Sequence, residues 1–332
     1  MAIDTPARLA ILGAGPLGLE AALYARFLGY DVEIFEQGRV GEHVRRWGHE
    51  RMFAPFGWNR STLGLAAIAT HDETYAPPRD DLRLTGDEWL RQYVEPLAAT
   101  DLLSDHIRER ATVVRIARGG LLKTDLPGDP DRGDFPLRLL VKTEQGGERV
   151  VDADGVIDTT GVLSRPNFLG EAGLPALGEL AARHEIEYGL PDVHGARRDD
   201  YAGRHTLVVG DGDSAATVVV NLARLAESSP TTKVTWVTRE LLDDSADGPL
   251  ARLGNDPLPA RDELRAAANR LSRTNGGAIV HLPGTAVQSI ARTDSSAPWT
   301  VGLIGQHAGE LNCDRIVGCV GHRPDRELTS EL

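Results

Sequence analysis

The sequence predicts an α/β protein with two Rossmann-like domains, because a strand-like run, a glycine-rich turn and a helix-like run follow one another twice along the chain. The first set begins at Arg8 and the second at His205. A length of 332 residues gives each of two domains enough chain to bury a core of its own. Hydrophobic residues make up 41% and charged residues 26% of the chain, values typical of globular proteins rather than of long disordered segments.

The first glycine-rich turn has the sequence GAGPLG at residues 13–18 and lies between the apolar run 8–12 and a helix-like run. In such a turn Gly13 permits the tight bend, Gly15 lets the backbone approach a pyrophosphate, and Gly18 lets the helix pack closely on the strand. The N-terminus of the helix then offers N–H groups and a positive dipole end to the phosphates. The residues that we assign to nucleotide binding here are Gly13, Gly15, Pro16, Leu17 and Gly18.

The next strand-like run, residues 31–35, ends at Glu36. Glu36 lies near the offset of about 20 residues at which an acidic side chain accepts hydrogen bonds from the two ribose hydroxyls of a dinucleotide. Its negative charge disfavours a 2′-phosphate at the same place. A purely structural glycine turn is the alternative, but the flanking runs and Glu36 together favour a dinucleotide site.

The second glycine-rich turn has the sequence GDGDSAA at residues 210–216, after the apolar run 205–209 and before a helix-like run over 217–226. The β-branched run 233–238 that follows ends at Arg239, where the first set has an acidic residue. A guanidinium at this place can pair with a 2′-phosphate in bidentate fashion, whereas the alternative is an ordinary solvated charge. The residues that we assign to this second nucleotide site are Gly210, Gly212, Ser214, Ala215 and Arg239.

Residues 212–216 also resemble a nucleophile elbow, in which Ser214 would be the nucleophile of a hydrolase. Ala216 replaces the second glycine of that motif, however, and the sequence has no HGGG-type segment for an oxyanion hole. Gly210 also completes the dinucleotide spacing. We therefore favour nucleotide binding over hydrolysis.

The two turns, together with VIDTTG at 156–161 and IVGCVGHRPD at 316–325, resemble the two-dinucleotide-binding-domain flavoproteins. Residues 159–161 match, with one change, the Ala-Thr-Gly-like triplet of the strand that leaves the flavin domain in that superfamily. Within it the chain most resembles the flavin-containing and N-hydroxylating monooxygenases, because its second turn is of the GxGxSA type. The resemblance implies the FAD/NAD(P)-binding fold, in which an NADPH domain is inserted into a discontinuous FAD domain.

The resemblance also sets the expected domain boundaries. We expect an FAD-binding domain over residues 1–200 with an insertion at about 39–103, an NADPH-binding domain over 201–312, and a return to the FAD domain over 313–332. In relatives the loop after the ribose-binding strand lies beside the flavin. The further residues that the resemblance adds to the cofactor-binding set are Arg46, Trp47, Val114 and Gly161.

The implied function is that of an oxidoreductase that binds FAD and NADPH. The nicotinamide of NADPH would pass a hydride to the flavin, and the reduced flavin would then activate oxygen, as in a monooxygenase that acts on a small-molecule substrate. One alternative is a reductase that passes the electrons to a carrier protein. A second alternative is a dinucleotide-binding relic without catalytic activity. No catalytic side chain is predicted.

Three features depart from the pattern of relatives. Disulfide reductases of the superfamily have a redox-active cysteine pair, whereas this chain has only Cys313 and Cys319, which we interpret as packing residues. The FxGxxxHxxxW/Y fingerprint of flavin monooxygenases is only partly imitated over residues 188–201. A final flavin segment ending in Gly-Asp should follow Arg323, but the sequence stops at Leu332, so we expect either a fragment or a protein that holds FAD less tightly.

The expected insertion is where we place substrate specificity. Its densest aromatic cluster, MFAPFGWN at 52–59, is a candidate wall of a substrate pocket. Thr85 and Glu88 have the spacing of a capping box, which predicts that a helix begins there. His43 and His49 are candidates for proton transfer, although a structural role is the commoner one for isolated histidines.

Charge and hydropathy exclude other classes of partner. Lys and Arg number 36 against 49 Asp and Glu, and the net charge of -13 argues against a nucleic acid partner. No run reaches the roughly 20 apolar residues that span a bilayer, so no membrane partner is expected. The apolar stretch 9–28 is interrupted by Pro16 and Glu20 and is not a signal peptide, which with only two cysteines predicts a cytoplasmic protein. The ten histidines lack HxH or HExxH spacing, so no metal site is predicted.

Overall fold

The chain divides into two units, one inserted into the other. A computed structural model describes residues 4–242, 247–274 and 277–332. Unit 1 takes in the chain up to Ser164 together with Pro324–Leu332, and unit 2 is Arg165–Arg323. The predicted insertion of one domain into a discontinuous other is therefore confirmed.

The inserted unit begins at Arg165 and ends at Arg323, whereas the sequence predicted boundaries after residues 200 and 312. The difference arises from contacts between segments that are distant in sequence. Segment 165–200 is hydrogen-bonded to strands of unit 2: the Glu187 N–H donates to the Ile316 carbonyl (3.1 Å) and the Gly318 N–H donates to the Glu187 carbonyl (2.8 Å). The Leu177 N–H likewise donates to the Gln288 carbonyl (2.9 Å). Segment 165–200 thus folds with the inserted unit.

Unit 1 is built on a parallel sheet whose strands are buried apolar runs. Its elements, in chain order, are β1 (Arg8–Leu12), α1 (Pro16–Phe27), β2 (Asp31–Phe35), α2 (Glu42–Arg45), α3 (Thr62–His71), α4 (Gly86–Trp89), α5 (Glu95–Ala98), β3 (Ile107–Arg108), β4 (Ala111–Arg118), β5 (Leu137–Thr143), β6 (Glu148–Ala153) and β7 (Gly155–Asp158). The parallel sheet has the order β3-β2-β1-β7, and β4-β5-β6 form a separate antiparallel sheet. Strand β1 is buried at all four positions after Arg8, as expected of a strand covered on both faces.

The helices of the expected insertion pack against α1 in one core. Phe56, Ile68 and Tyr93 are buried there with Leu19 and Leu23 of α1. The predicted capping box is confirmed, because the Thr85 hydroxyl accepts from the Glu88 N–H while the Glu88 carboxylate accepts from the Thr85 N–H. After α4 the chain continues as a π-helical turn, Leu90–Val94, before α5. The insertion is therefore an integral part of unit 1.

Unit 2 has a second parallel sheet. Its elements, in chain order, are α6 (Glu179–Ala182), α7 (Arg198–Tyr201), β8 (His205–Val209), α8 (Asp213–Ser228), β9 (Lys233–Val237), α9 (Pro259–Ser272), β10 (Ile279–Leu282), β11 (Thr285–Ala291), β12 (Trp299–Gly305), β13 (Gly309–Cys313) and β14 (Arg315–Gly318). The parallel sheet has the order β10-β9-β8-β14, and β11-β12-β13 form an antiparallel sheet. Helix α8 buries Val218, Leu222 and Leu225, the helical spacing that the sequence showed. None of the helices in the described ranges is both long and apolar enough to cross a membrane.

Candidate functional site

The glycine-rich turn of unit 1 joins β1 to α1 as predicted. A Cβ atom on Gly18 would lie 1.9 Å from the Gly13 carbonyl oxygen, so only glycine allows α1 to approach the turn this closely. A Cβ atom on Gly15, in contrast, would meet nothing within 4 Å. The backbone at Gly15 thus borders open space, which is the arrangement that a pyrophosphate requires.

The N-terminus of α1 is open to a ligand. Gly15 is its N-cap and provides no side-chain cap, and Pro16 occupies the first turn without an N–H group. The first-turn N–H groups of Leu17 and Gly18 therefore have no intrahelical acceptor, and the dipole of this 12-residue helix makes its end positive.

Glu36 follows β2 and is buried, with 7% of its surface exposed. Its carboxylate accepts hydrogen bonds from the Ala14 N–H (2.9 Å) and from the Gly38 N–H (2.8 Å). Burial raises the pKa of Glu36, although the two backbone hydrogen bonds act in the opposite direction. The carboxylate thus holds the glycine-rich turn, and its two oxygens retain acceptor capacity for ribose hydroxyls.

A cavity of about 340 Å³ adjoins this turn within unit 1. That volume is in the range of small-molecule sites. The cavity is lined by Leu12, Gly13, Gly15, Pro16, Leu17, Phe35, Glu36, Gln37, Gly41, Glu42, His43, Val44, Trp47, Ala111, Thr112, Val113, Thr159, Thr160, Gly161, Leu163, Ser164, Asp325 and Leu328. Most of the residues predicted for the first nucleotide site therefore lie together around one cavity.

Three predicted residues are placed elsewhere. Gly18 lies beneath the turn rather than on the cavity surface. Arg46 is exposed and does not line the cavity, whereas its neighbour Trp47 does. Val114 occupies a bulge in β4, where the pairing with β5 shifts between Val113 and Arg115, and Val113 lines the cavity instead.

The triplet at 159–161 anchors the end of β7 to the turn. The Thr159 hydroxyl donates to the Leu12 carbonyl (2.7 Å), and the Thr159 N–H donates to the same oxygen (2.9 Å). Gly161 has a φ of +66°, a conformation that favours glycine, and it lines the cavity.

Sequence reasoning missed the chain end as part of this cavity. The Leu328 carbonyl accepts from the Ile116 N–H (2.9 Å), and the Arg115 guanidinium pairs with Glu327 (2.8 Å). These contacts with β4 bring Asp325 and Leu328 to the cavity. The sequence signal for this contact was the apolar Leu328 within the mainly polar segment 324–332.

The glycine-rich turn of unit 2 has a different support. The Trp236 indole N–H donates to the Gly210 carbonyl (2.7 Å), and a Cβ atom on Gly212 would meet nothing within 4 Å. Gly212 is the N-cap of α8 and provides no side-chain cap. Ala215 is completely buried, whereas Ser214 is exposed. No histidine in the described ranges hydrogen-bonds to Ser214, so the nucleophile-elbow alternative has no catalytic base there.

Arg239 is exposed and lies two residues after the end of β9. The preceding Thr238 hydroxyl lies 2.9 Å from Nε2 of His281, whose ring is 4.8 Å from that of Trp236. Burial lowers the pKa of His281 to about 4, so this histidine is neutral at pH 7. Arg239, rather than His281, therefore provides positive charge at the end of β9.

The two cysteines are packing residues. Cys313 is buried in one apolar cluster of unit 2, and Cys319 packs against another. Burial raises the pKa of each thiol to about 12, so both are protonated at neutral pH. The two tyrosines of the partial monooxygenase fingerprint also have packing roles. Tyr201 is buried, and the Tyr188 hydroxyl donates to the Glu179 carboxylate (2.5 Å).

The aromatic cluster at 52–59 does not line the cavity. Phe56 is completely buried and packs edge-on against Tyr93, at 5.7 Å between ring centroids, while Trp58 is 63% exposed. Of the two histidine candidates, His43 lines the cavity and His49 does not. No group of three potential metal-ligating side chains occurs among the described residues.

Comparisons with known proteins found similarity to solved structures. No family model and no curated protein matches the chain. Bacillithiol disulfide reductase from Bacillus cereus superposes with a TM-score of 0.66 at 17% identity, covering 99% of this chain and 82% of that protein. The chain has the fold of the two-dinucleotide-binding-domain flavoproteins.

Other proteins of this flavoprotein fold superpose over a similar share of the chain. The ornithine N-hydroxylase of Kutzneria sp. 744, solved with reduced FAD, NADP+ and L-ornithine, has a TM-score of 0.63 at 14% identity and covers 98% of this chain and 84% of its own. Thioredoxin reductase from Lactococcus lactis has a TM-score of 0.54 at 18% identity, covering 98% and 81%. The predicted fold class is thus confirmed, and monooxygenases and disulfide reductases both occur among these structures.

Proposed function

We propose that this chain is an FAD-dependent oxidoreductase that takes electrons from NADPH. The observation that carries this proposal is the opposite charge that follows the second parallel strand of each unit, one residue after β2 in unit 1 and two residues after β9 in unit 2. A buried carboxylate, Glu36, follows the second strand of unit 1, whereas an exposed guanidinium, Arg239, follows the second strand of unit 2. The first favours a ribose with free hydroxyls and the second favours a 2′-phosphate.

Unit 1 fits FAD. The pyrophosphate would bind at Gly15 and at the first-turn N–H groups of α1, where the backbone borders open space. Glu36 would accept the ribose hydroxyls, and Trp47 would supply apolar surface at the wall of the cavity. The cavity volume of about 340 Å³ accommodates part of a dinucleotide, so the remainder would extend along its open side.

Unit 2 fits NADPH. The open backbone at Gly212 and the uncapped N-terminus of the 16-residue helix α8 would receive the pyrophosphate. Arg239 would pair with the 2′-phosphate. His281 is uncharged at pH 7 and would add no positive charge to that interaction.

A bound flavin supplies the redox chemistry, accepting a hydride from the nicotinamide and passing electrons on. The protein's residues bind and orient the two cofactors and exclude water. Cys313 is buried, Cys319 is half-buried and both thiols are protonated, so electrons do not leave through a dithiol of this chain. We therefore favour oxygen as the acceptor, in a monooxygenase acting on a small molecule, over the disulfide chemistry of some proteins of this fold.

The test is reconstitution of the purified protein with FAD, followed by removal of free cofactor. The proposal predicts bound flavin and NADPH oxidation accompanied by oxygen consumption. NADPH oxidation that needs an added carrier protein would instead support the reductase alternative. Protein that retains no FAD under any condition would reject the proposal.

A further inference from the structure

The glycine-rich turn of unit 2 contains two carboxylates where an anion is expected. Asp211 and Asp213 flank Gly212, and Asp213 is the first residue of α8. A carboxylate in the first turn stabilises a helix, but it competes for the same positive end with an incoming phosphate. The turn of unit 1 has no acidic residue at the matching positions, Ala14 and Pro16. A pyrophosphate site at α8 therefore needs something to neutralise this charge.

Arg265 neutralises one of these two carboxylates, Asp213, from the second turn of α9. Its Nε and Nη2 atoms donate to the two carboxylate oxygens of Asp213 at 2.6 and 2.9 Å, which is a bidentate pair. The two side chains are 21% and 29% exposed, so water screens the pair only in part. The Asp213 carboxylate in turn raises the pKa of Arg265, which stays charged at every accessible pH.

The guanidinium is also fixed to a third segment. Its Nη1 atom donates to the Ala251 carbonyl (3.0 Å), in the connection between β9 and α9. A guanidinium has five N–H donors, and these contacts use three of them. Arg265 thus has two donors left beside the N-terminus of α8.

Two further ion pairs near the start of α9 provide a contrast. Arg252 pairs with Asp262 (2.6 Å), and Arg261 pairs with Asp256 (2.7 Å). Neither pair includes a residue of the turn 210–216. Of these three ion pairs, the one between Arg265 and Asp213 joins α9 to the predicted pyrophosphate site.

We propose that Arg265 is a positioning residue for the pyrophosphate of NADPH, because it neutralises Asp213 and directs its remaining donors to the phosphates. This inference rests on the proposed function, since it requires that unit 2 binds NADPH. It predicts that Arg265 and Asp213 affect binding through charge and not through the stability of the fold.

The test compares the affinities of two ligands for four variants in direct binding titrations. NADPH contains the pyrophosphate, whereas adenosine 2′-monophosphate carries the 2′-phosphate alone. Arg265→Met should weaken NADPH binding about tenfold and leave adenosine 2′-monophosphate binding unchanged. The loss should shrink at high salt. The double variant Asp213→Asn/Arg265→Met should recover most of the affinity, and the control Arg252→Met should match the wild type.

Asp213→Asn alone distinguishes this role from a structural one. Removal of the charge should leave NADPH affinity equal to that of the wild type or higher, whereas a pair needed only for folding would make this variant weaker. Equal affinity of Arg265→Met and wild type for NADPH, or equal losses for both ligands, would overturn the inference. A wild-type protein that binds neither ligand would reject NADPH binding by unit 2 itself, which is the proposed function.

Discussion

The glycine-rich turns of the two units have the same spacing but different supports. In unit 1 the buried Glu36 carboxylate holds the backbone of the turn, and Gly18 is required where α1 meets it. In unit 2 the Trp236 indole holds the Gly210 carbonyl, and a buried alanine, Ala215, stands at the position of Gly18. In unit 1, Glu36 therefore both supports the turn and lines the cavity, whereas in unit 2 the residue that supports the turn, Trp236, is distinct from Arg239, which we expect to bind the ligand.

The largest expected loss of stability is at Gly18, where α1 packs closely against the glycine-rich turn. Gly18→Ala places a methyl group 1.9 Å from the Gly13 carbonyl oxygen, so the free energy of unfolding should fall by about 3 kcal/mol. Gly15→Ala is the matched control, because its methyl group meets open space and should change stability by less than about 0.5 kcal/mol. Denaturant unfolding followed by circular dichroism measures both. Gly15→Ala should nevertheless weaken FAD binding, since the methyl group occupies the space that a pyrophosphate needs.

Glu36→Ala should have the next largest effect. It leaves the Ala14 and Gly38 N–H groups without their acceptor, which should cost about 2 kcal/mol of unfolding free energy as well as FAD affinity. Unfolding in denaturant and equilibrium dialysis against FAD check the two parts. An Ala variant as stable as the wild type would contradict the support that we assign to Glu36.

Arg239→Ala should affect binding only. The side chain is exposed, so stability should change by less than about 0.5 kcal/mol, while NADPH affinity should fall about tenfold. NADH lacks the 2′-phosphate and should bind equally well before and after the change. Parallel titrations with both nucleotides are the measurement, and equal losses for both would reject a 2′-phosphate role.

The smallest expected effect is the pH dependence of Glu36. Because burial raises its pKa, ionisation is less favourable in the folded protein than in the unfolded chain. The stability of the wild type relative to Glu36→Gln should therefore be highest at acid pH and decline as the pH rises through the raised pKa. FAD affinity should change in the opposite direction, because the ionised carboxylate is the better acceptor for ribose hydroxyls. Parallel slopes for stability and affinity would contradict this assignment.

Local patterns in the sequence predicted much of the fold. The bounds of β1 and β2, the position of Glu36 and the capping box at Thr85 depend on neighbours within a few residues, and each was found. The burial of Phe56 was not predicted, because the sequence of an aromatic cluster does not indicate which of its rings faces the core.

Contacts between distant segments account for the other differences. The bulge at Val114 exists only through pairing with β5, so the choice between Val113 and Val114 could not be read from β4 alone. The pairing of Arg265 with Asp213 joins side chains 52 residues apart. The placement of segment 165–200 likewise depends on its hydrogen bonds to β14.

The most direct test of the central claim is an anaerobic titration of the FAD-loaded protein with NADPH, followed through the visible absorbance of the flavin. We predict that one equivalent of NADPH bleaches the bound flavin. NADH should do so with lower affinity, and in Arg239→Ala this preference for NADPH should be lost. Bound flavin that stays oxidised in excess NADPH would contradict the account, since the two nucleotide sites would then not act together.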